Sequence, residues 1–541
     1  MDILIVAIIL FLAIFAIKIS NRSGIPSLLI FIVFGIIFSK FGFDFNNYEI
    51  ADKFASLALM IIIFQGGFST KWKMAKPVAR EAIIMSLFGT LLTALITGIF
   101  CHYFLKVSYL EGMLLGSVIS STDFASVSNI LRSQNLNLKY STAPLLELES
   151  GSNDPTAYTL TMIFLSLLLG REILVPLTIF TQIAFGLVVG FGVSLIFMKI
   201  VRIAKFDRDG LFIIFLAATA LFTFSFANLI KGNGYLATYV FGIYVGNQQF
   251  KGKRQSVFFL DGITSLLQIG LFFMLGLLSN VDAFISHLPE ALAVCLFLLL
   301  VSRPFATFLL LAPFKGPRNQ KLMISLAGIR GAAAIAFAIL VINSGVKLNM
   351  DIYHIVFGVC VISALLQGSI MPWVSRKLDI LDPNDTVLKN FNDYQDKSEL
   401  GFIQTVIRPG SRWINQPVST LNLAFNIIVA KIERRGKTIV PRGSTVLKED
   451  DLVVLGGEVY FDRASDELVE LTIPHSHPWA NKTVKEINLP DDELIIMVQT
   501  RDNEIIVPTG ATIICEGDTL VTIKANEDDP SFKGLKKLKR K

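Results

Sequence analysis

The sequence predicts an all-α polytopic membrane bundle of about 13 transmembrane spans, followed by small β-rich α+β modules, and three observations carry that reading. Of 541 residues, 53% are hydrophobic and only 17% charged, with a mean hydropathy of +0.60. In such a composition most of the apolar surface must face lipid. Apolar runs long enough to cross roughly 30 Å of hydrocarbon recur along residues 1–378 and then stop. Beyond them the chain turns polar and repeats itself once.

The runs centre near Ile9, Phe31, Met60, Leu91, Val118, Met162, Val188, Phe215, Phe241, Phe272, Leu298, Ala333 and Val361. The first, MDILIVAIILFLAIFAIKIS, lacks the basic start and small-residue cleavage site of a signal peptide, so it reads as a retained span. Loops on one side hold about 20 Lys and Arg, among them Lys71, Lys73, Lys76 and Arg80, against about 6 on the other. The richer side is the cytoplasm. An odd number of spans then puts the N-terminus outside and everything past Lys377 inside. The net charge of +6 is mild and gives no reason to expect a nucleic-acid partner. Cys101, Cys295, Cys360 and Cys515 are isolated, with no CxxC and no histidine at ligand spacing, which supports neither a disulfide framework nor a zinc site.

Two spans break the apolar pattern in matching places of the two halves. The fifth carries GSVISSTDFASVSN (Gly116 to Asn129), in which a run of Ser and Thr leads to Asp123. The twelfth carries SLAGIRGAAAIAF (Ser325 to Phe337), with Arg330 between Gly328 and Gly331. Paired interruptions of this kind point to a transporter site built from crossed, discontinuous helices. Small residues also allow close helix packing, but the opposite charges at the two breaks favour the first reading.

The stretch around which these are arranged is PLLELESGSNDP, Pro144 to Pro155, which runs directly into an apolar segment. An ionisable group at bilayer depth is costly unless paired or hydrated, so it reads first as an ion or proton site. The buried charges to balance are Asp123, Glu149, Asp154, Arg303 and Arg330. Two arginines can neutralise two acids, leaving one acid free to change partners. Glu149 reads as a structural, arginine-neutralised acid. Asp154 is the free one: Asn153 adjoins it, and Ser150 lies four residues earlier on the same helical face. Hard monovalent cations want oxygen ligands, which Asp154, Ser150, the Thr122 hydroxyl and unwound carbonyls near Thr122 would supply. If proton and cation compete for one carboxylate, moving the site between the two sides exchanges one for the other. That is antiport, one proton per cation, with no net charge moved. A membrane enzyme is disfavoured, because no nucleophile and base pair or metal cluster is evident. His102, His287, His354, His475 and His477 fall in loops, at span ends or in the soluble part, and the HSH of His475 and His477 reads as a solvated loop before a metal or ligand site.

Residues 1–378 thus form the transmembrane domain, and the polar stretch at 379–400 reads as a linker. Within 401–460 and 461–526 the chain repeats: Trp413 matches Trp479, Val418 matches Val484, Pro441 and Gly443 match Pro508 and Gly510, and Asp451 matches Asp518. Short apolar alternations such as IIVAKI and LIIMVQT between Gly, Pro and Asp turns mark β-rich modules. The end, 527–541 with FKGLKKLKRK, is a basic tail that reads as solvated before lipid-binding.

Taken together, the TD pair at Thr122 and Asp123, the ESGSNDP run, the SRP around Arg303 and the GIRGA around Arg330 resemble cation:proton antiporter family 1, the NhaP-type sodium/proton and potassium/proton exchangers. The resemblance covers the whole membrane part. It implies that Asp154 carries proton and cation, that Asn153 steadies the site, and that Ser150 and Thr122 contribute ligands. It also implies that Glu149 pairs with Arg303, and that Asp123 and Arg330 belong to the crossed-helix region. The implied fold is a homodimeric 13-helix bundle with an inverted repeat, divided into a dimer-interface part and a transport core that moves like an elevator. The repeated modules, through IVPRGSTVLKEDDLVVLG and IVPTGATIICEGDTLVTI, resemble the ligand-sensing RCK C-terminal (TrkA-C) module. The chain departs by holding two copies in tandem and by lacking a nucleotide-binding Rossmann half; the glycines of VVGFGVSL (Val188 to Leu195) lie in a span and read as packing. What the resemblance implies is a regulated antiporter of K⁺ or Na⁺ against H⁺ in a bacterial inner membrane. Its modules would be cytoplasmic, with no resident cofactor and a nucleotide or other small molecule as regulatory ligand. Modules of this kind favour K⁺ by association. The alternative is a ligand-gated monovalent cation channel, which the lack of a TVGYG-type filter disfavours.

Overall fold

The computed structural model describes residues 27–381 apart from 41–46, 134–135, 205–208, 249 and 251–252, together with Phe11 and Ile14. Of the rest it describes 400–524 apart from 410, 412, 422–427, 435–436, 440, 459–466, 475–476, 488, 490–492, 501–504 and 507. Nearly all of the first expected span, most of the linker, His475 and the basic tail lie outside the described residues. The chain divides into two compact units, Met1–Gln395 and Asp396–Lys541.

The first unit is a helical bundle. Its helices are α1 (Ser27–Lys40), α2 (Tyr48–Ser69), α3 (Trp72–Leu105), α4 (Tyr109–Val118), α5 (Phe124–Ser133), α6 (Thr142–Leu168), α7 (Val175–Ala204), α8 (Asp209–Leu229), α9 (Gly234–Gly246), α10 (Lys253–Leu278), α11 (Val281–Leu310), α12 (Arg318–Leu326), α13 (Ala332–Asn343) and α14 (Ile352–Lys377). Among the described residues, seven helices are long and apolar enough to cross a membrane alone: α2, α3, α7, α8, α10, α11 and α14. The other expected spans take different forms. The second and ninth, α1 and α9, have 14 and 13 residues. At 1.5 Å per residue the shorter reaches only about 20 Å. The sixth, α6, is 27 residues long but carries acids at mid-length. The fifth and twelfth are broken, into α4 with α5 and α12 with α13.

Helix starts are set by side-chain caps: Asn47 accepts from Ile50 N at 3.0 Å, and Ser108 and Glu111 form a capping box on α4. Backbones meet closely where glycine allows it. A Cβ on Gly276 of α10 would lie 2.1 Å from the Ile32 carbonyl oxygen of α1, and one on Gly116 of α4 would lie 2.3 Å from the Ala94 carbonyl oxygen of α3. These are the small-residue contacts by which helices associate in lipid.

The second unit is built twice over one plan. Strands β1 (Leu400–Val406), β2 (Ile428–Arg434), β3 (Lys437–Ile439) and β4 (Leu452–Glu458) form a sheet in the order β1-β4-β2-β3. Next come β5 (Glu467–Thr472), β6 (Lys482–Thr483), β7 (Glu493–Gln499), β8 (Ile505–Ile506), β9 (Ile513–Ile514) and β10 (Thr519–Lys524), with β5-β10-β7-β8 repeating the order. The loops repeat as closely. Asn415 N donates to Leu447 O at 2.8 Å and Asn481 N to Ile514 O at 2.7 Å, both asparagines being left-handed at φ 63° and 62°. Trp413 packs on the core of Ile407, Ile432, Leu447 and Val453, and Trp479 on that of Ile473, Ile495, Ile514 and Leu520.

Candidate functional site

The two interrupted spans meet at their breaks. Between α4 and α5 the backbone of Ile119–Asp123 is not helical, nor is Ala327–Gly331 between α12 and α13. The segments are joined by Asp123 N donating to Ile329 O at 2.7 Å. They lie so close that a Cβ on Gly331 would stand 2.2 Å from Asp123 Oδ2. Unwinding leaves carbonyls without the N–H four residues on, and Arg330 takes two of them. Its Nη1 donates to Ser120 O at 2.7 Å and to Ser121 O at 2.6 Å. Arg330, expected to balance a carboxylate, thus takes backbone partners, because an unwound segment is itself a concentrated source of negative dipole. Asp123 lies at the start of α5, where its Oδ2 accepts from Ser126 Oγ at 2.6 Å.

The central stretch of α6 packs across these breaks. Pro155 removes one helical N–H, and the chain around it is held by side chains: Asn233 Nδ2 donates to Pro155 O at 2.7 Å, and Thr159 Oγ1 donates to the same oxygen at 3.0 Å. One turn earlier, Gly151 faces Tyr239 so closely that a Cβ would lie 2.6 Å from its ring. Asp154 is buried, and its Oδ1 accepts from the Ser121 hydroxyl. Ser150 Oγ donates to the Thr122 carbonyl, and Asn153 Nδ2 donates to Thr122 Oγ1 at 2.6 Å. Asn153 Oδ1 is buried with no hydrogen-bond partner among the described residues. The structure therefore brings Asp154, Asn153, Ser150 and Thr122 to one place, along with the unwound carbonyls near Thr122. Glu149 turns elsewhere: its Oε1 accepts from Arg303 Nη2 at 2.5 Å, with both side chains 1% exposed.

Several contributors are not among the residues singled out from sequence. Ser121 supplies the hydroxyl on Asp154; its only signal was membership of the Ser/Thr run before Asp123. On α14, Ser363 Oγ accepts from Arg330 N at 3.0 Å and donates to Gln367 Oε1 at 2.6 Å, while Gln367 Nε2 donates to Leu326 O at 2.9 Å. The second break is thus braced by two polar residues inside an apolar span, a pattern visible in sequence but unassigned. His102 and His354 serve the local frame, through Val107 O at 2.7 Å and Asp351 Oδ2 at 2.6 Å. Among the described residues no group of three or more His, Cys, Asp and Glu is placed to hold a resident metal ion.

Comparison with known proteins agrees with this architecture. A family model described as sodium/hydrogen exchanger, transmembrane, matches residues 7–377, and the TrkA-C domain model matches twice, at 402–459 and 468–526. The chain is 30% identical to the K(+)/H(+) antiporter NhaP2 of Shewanella oneidensis, over 83% of this chain and 79% of the relative. It is 32% identical to the K(+)/H(+) antiporter NhaP of Alkalimonas amylolytica, over 71% and 68%. Its fold is that of the sodium proton antiporter MjNhaP1 from Methanocaldococcus jannaschii, with a TM-score of 0.62 at 22% identity, covering 70% of this chain and 98% of that one. The chain belongs to the transmembrane sodium/hydrogen exchanger family, and it carries two TrkA-C domains behind its membrane part.

Proposed function

We propose that this protein is a secondary antiporter exchanging a monovalent cation for H⁺, one for one and without net charge movement, with Asp154 as the group both ions share. The observation that carries this is the convergence on Asp154. A buried carboxylate meets the Ser121 hydroxyl, with Asn153 Oδ1 beside it without a partner among the described residues and an unwound, carbonyl-rich segment alongside. Both buried guanidiniums make their contacts elsewhere, Arg303 on Glu149 and Arg330 on Ser120 and Ser121. A carboxylate at this depth needs a compensating charge, and a proton or a cation bound by oxygens supplies it equally well. Asp154 and Asn153, with Ser150 and Thr122, form the ion-binding set; Asp123, Glu149, Arg303 and Arg330 hold the crossed region in shape. Of the two cations K⁺ is favoured over Na⁺, since the relatives from Shewanella and Alkalimonas bear the name of K(+)/H(+) antiporters. The protein works as a homodimer in the bacterial inner membrane. Its N-terminus is outside, and the TrkA-C domains are in the cytoplasm, where a small ligand tunes the exchange; the asymmetry of loop charge supports this orientation.

The test is proton movement in everted vesicles on addition of K⁺, Na⁺ or Li⁺, for the intact chain, for Asp154→Asn and for a chain ending at Leu381. The intact chain exchanges, Asp154→Asn does not, and the shortened chain exchanges with altered dependence on pH and cation. Full-rate exchange by Asp154→Asn would overturn the site. A shortened chain indistinguishable from the intact one would overturn the regulatory role.

A further inference from the structure

We infer that the seam between α3 and α11 binds a file of internal water molecules that solvates the Glu149–Arg303 pair. Thr90, Thr93 and Thr97 recur on α3 at positions i, i+3 and i+7, and so share one face. Thr97 Oγ1 donates to Ser302 Oγ of α11 at 2.9 Å, and Ser302 Oγ donates to Thr93 O at 3.1 Å, which sets the two helices face to face. Next to Ser302 comes Arg303, and one turn further Thr307.

Around this contact lies a set of polar atoms with no hydrogen-bond partner among the described residues: Thr90 Oγ1, Thr93 Oγ1, Thr307 Oγ1, Arg303 Nε and Glu149 Oε2. Each belongs to a side chain no more than 1% exposed. Buried polar groups in folded proteins are nearly always satisfied, by protein or by ordered water. The identity of the atoms selects the ligand. Arg303 Nε can only donate and Glu149 Oε2 can only accept, whereas the three hydroxyls do either. A cation would suit the oxygens but be repelled by the guanidinium, and an apolar filling would suit none of them. Water suits all five, and bridging several polar groups is what buried water does.

The helices themselves give a second, independent observation. Each opens into a π-turn directly before its polar face, at Met85–Gly89 ahead of Thr90 and at Leu298–Ser302 ahead of Arg303. Such bulges widen a helix and recur at functional sites. A buried ion pair is tolerated only when its remaining lone pairs and protons find partners, and the pair as it stands uses one carboxylate oxygen and one guanidinium nitrogen. Glu149 and Asp154, five residues apart, project about 140° from one another around α6, so the water reaches α6 on a different face from the cation. In the exchange proposed above, a pair solvated in this way leaves Asp154 as the acid that trades partners.

The test uses the full chain in detergent, as wild type, Thr93→Val, Thr307→Val and the double variant. The isosteric change removes a hydroxyl and keeps the volume. A hydroxyl without a partner is replaced by a methyl group neutrally or with a gain in stability, whereas a hydroxyl that anchors water is not. Each single variant therefore melts about 2 °C lower, and the double variant loses less than the two together, because both hydroxyls hold one file. Radiolytic labelling in H₂¹⁸O places ¹⁸O on Met85, which is 0% exposed in the first π-turn, and less of it in the variants. An unlabelled Met85 in the wild type, or Thr→Val variants that melt at or above the wild type, would overturn the inference. Neither readout requires transport, so a failure of exchange in vesicles leaves this test standing.

Discussion

Breaking the Glu149–Arg303 pair is the perturbation whose size the structure fixes best. The charged atoms are 2.5 Å apart and both side chains are 1% exposed. At an effective dielectric near 20 their attraction is about 7 kcal/mol, opposed by the several kcal/mol needed to take each ion out of water. The net worth of the pair is therefore small, but the cost of removing one member is large, because the survivor keeps its water but is a buried ion without its counter-charge. Glu149→Gln and Arg303→Met should each destabilise the membrane unit by about 3–5 kcal/mol. The double variant, with no charge left to strand, should be more stable than the sum of the singles implies by about 3 kcal/mol. The assay is equilibrium unfolding in mixed detergent micelles, with all four proteins under one condition so that the cycle closes. Single variants within about 1 kcal/mol of wild type, or a double variant as unstable as the two singles added, would refute the reasoning. Either result would mean that the opposite charge adds little to what the internal waters already supply to the surviving ion.

Two further predictions concern the break and the modules. Gly331→Val places carbon where Asp123 Oδ2 now stands, 2.2 Å from the new Cβ, so Asp123 must move; exchange should collapse while the melting of the TrkA-C domains is unaltered, and unchanged exchange would show that the crossing tolerates rearrangement. In the first module, Arg434 Nε and Nη2 each donate to the Asp451 carboxylate at 2.7 Å, which holds that carboxyl below the usual range. A carboxyl depressed in the folded state contributes stability above its unfolded value of about 3.9 and loses it as pH falls through the lower folded value. The protection of the β2 and β4 amides relative to their intrinsic exchange rates should therefore fall on acidification below about pH 4 in the wild type. Asp451→Asn should be less protected already at pH 7, by about 2 kcal/mol, and change little in acid; an acid response equal to the wild type's would reject the assignment.

Much of this was readable from the chain, and the parts that were not have a common cause. Apolar runs reveal where helices form, so the second and ninth runs coincide with α1 and α9. The two breaks were signalled by Ser, Thr and Gly where leucine is expected. The module repeat was carried by Trp413 and Trp479, Gly443 and Gly510, Asp451 and Asp518, each fixing a turn or a core that recurs in the folded unit. The symmetry stops at Arg434: both buried acids accept from the backbone N–H three residues earlier, Asp451 from Lys448 N at 2.8 Å and Asp518 from Cys515 N at 2.7 Å, but Asp451 also holds Arg434, whereas the matching position in the second copy is Thr500. What sequence did not yield were contacts set by unwound backbone. Ser121 reaches Asp154, rather than its neighbours Ser120 or Thr122 doing so, because of the turn the chain takes after Ile119, and no periodicity encodes that turn.

Arg330 takes a different kind of partner from the one a count of formal charges predicts. Counting formal charges assumes that a buried cation needs an anion, but an interrupted helix presents carbonyls whose own N–H partners have been unwound away, and two of these at 2.7 and 2.6 Å satisfy a guanidinium nitrogen. The break in one span and the arginine in the other therefore act together, since without Arg330 Nη1 the two unwound carbonyls would lose this donor. The glycines beside Arg330 belong to this arrangement as well. A Cβ on Gly328 would stand 3.2 Å from Arg303 Nε and 3.5 Å from Thr122 Cγ2, and one on Gly331 would strike Asp123. The close approach that brings the guanidinium onto the other segment's carbonyls thus needs the bare backbone at Gly331 and is tight at Gly328. GIRG is thus a packing feature of the crossing.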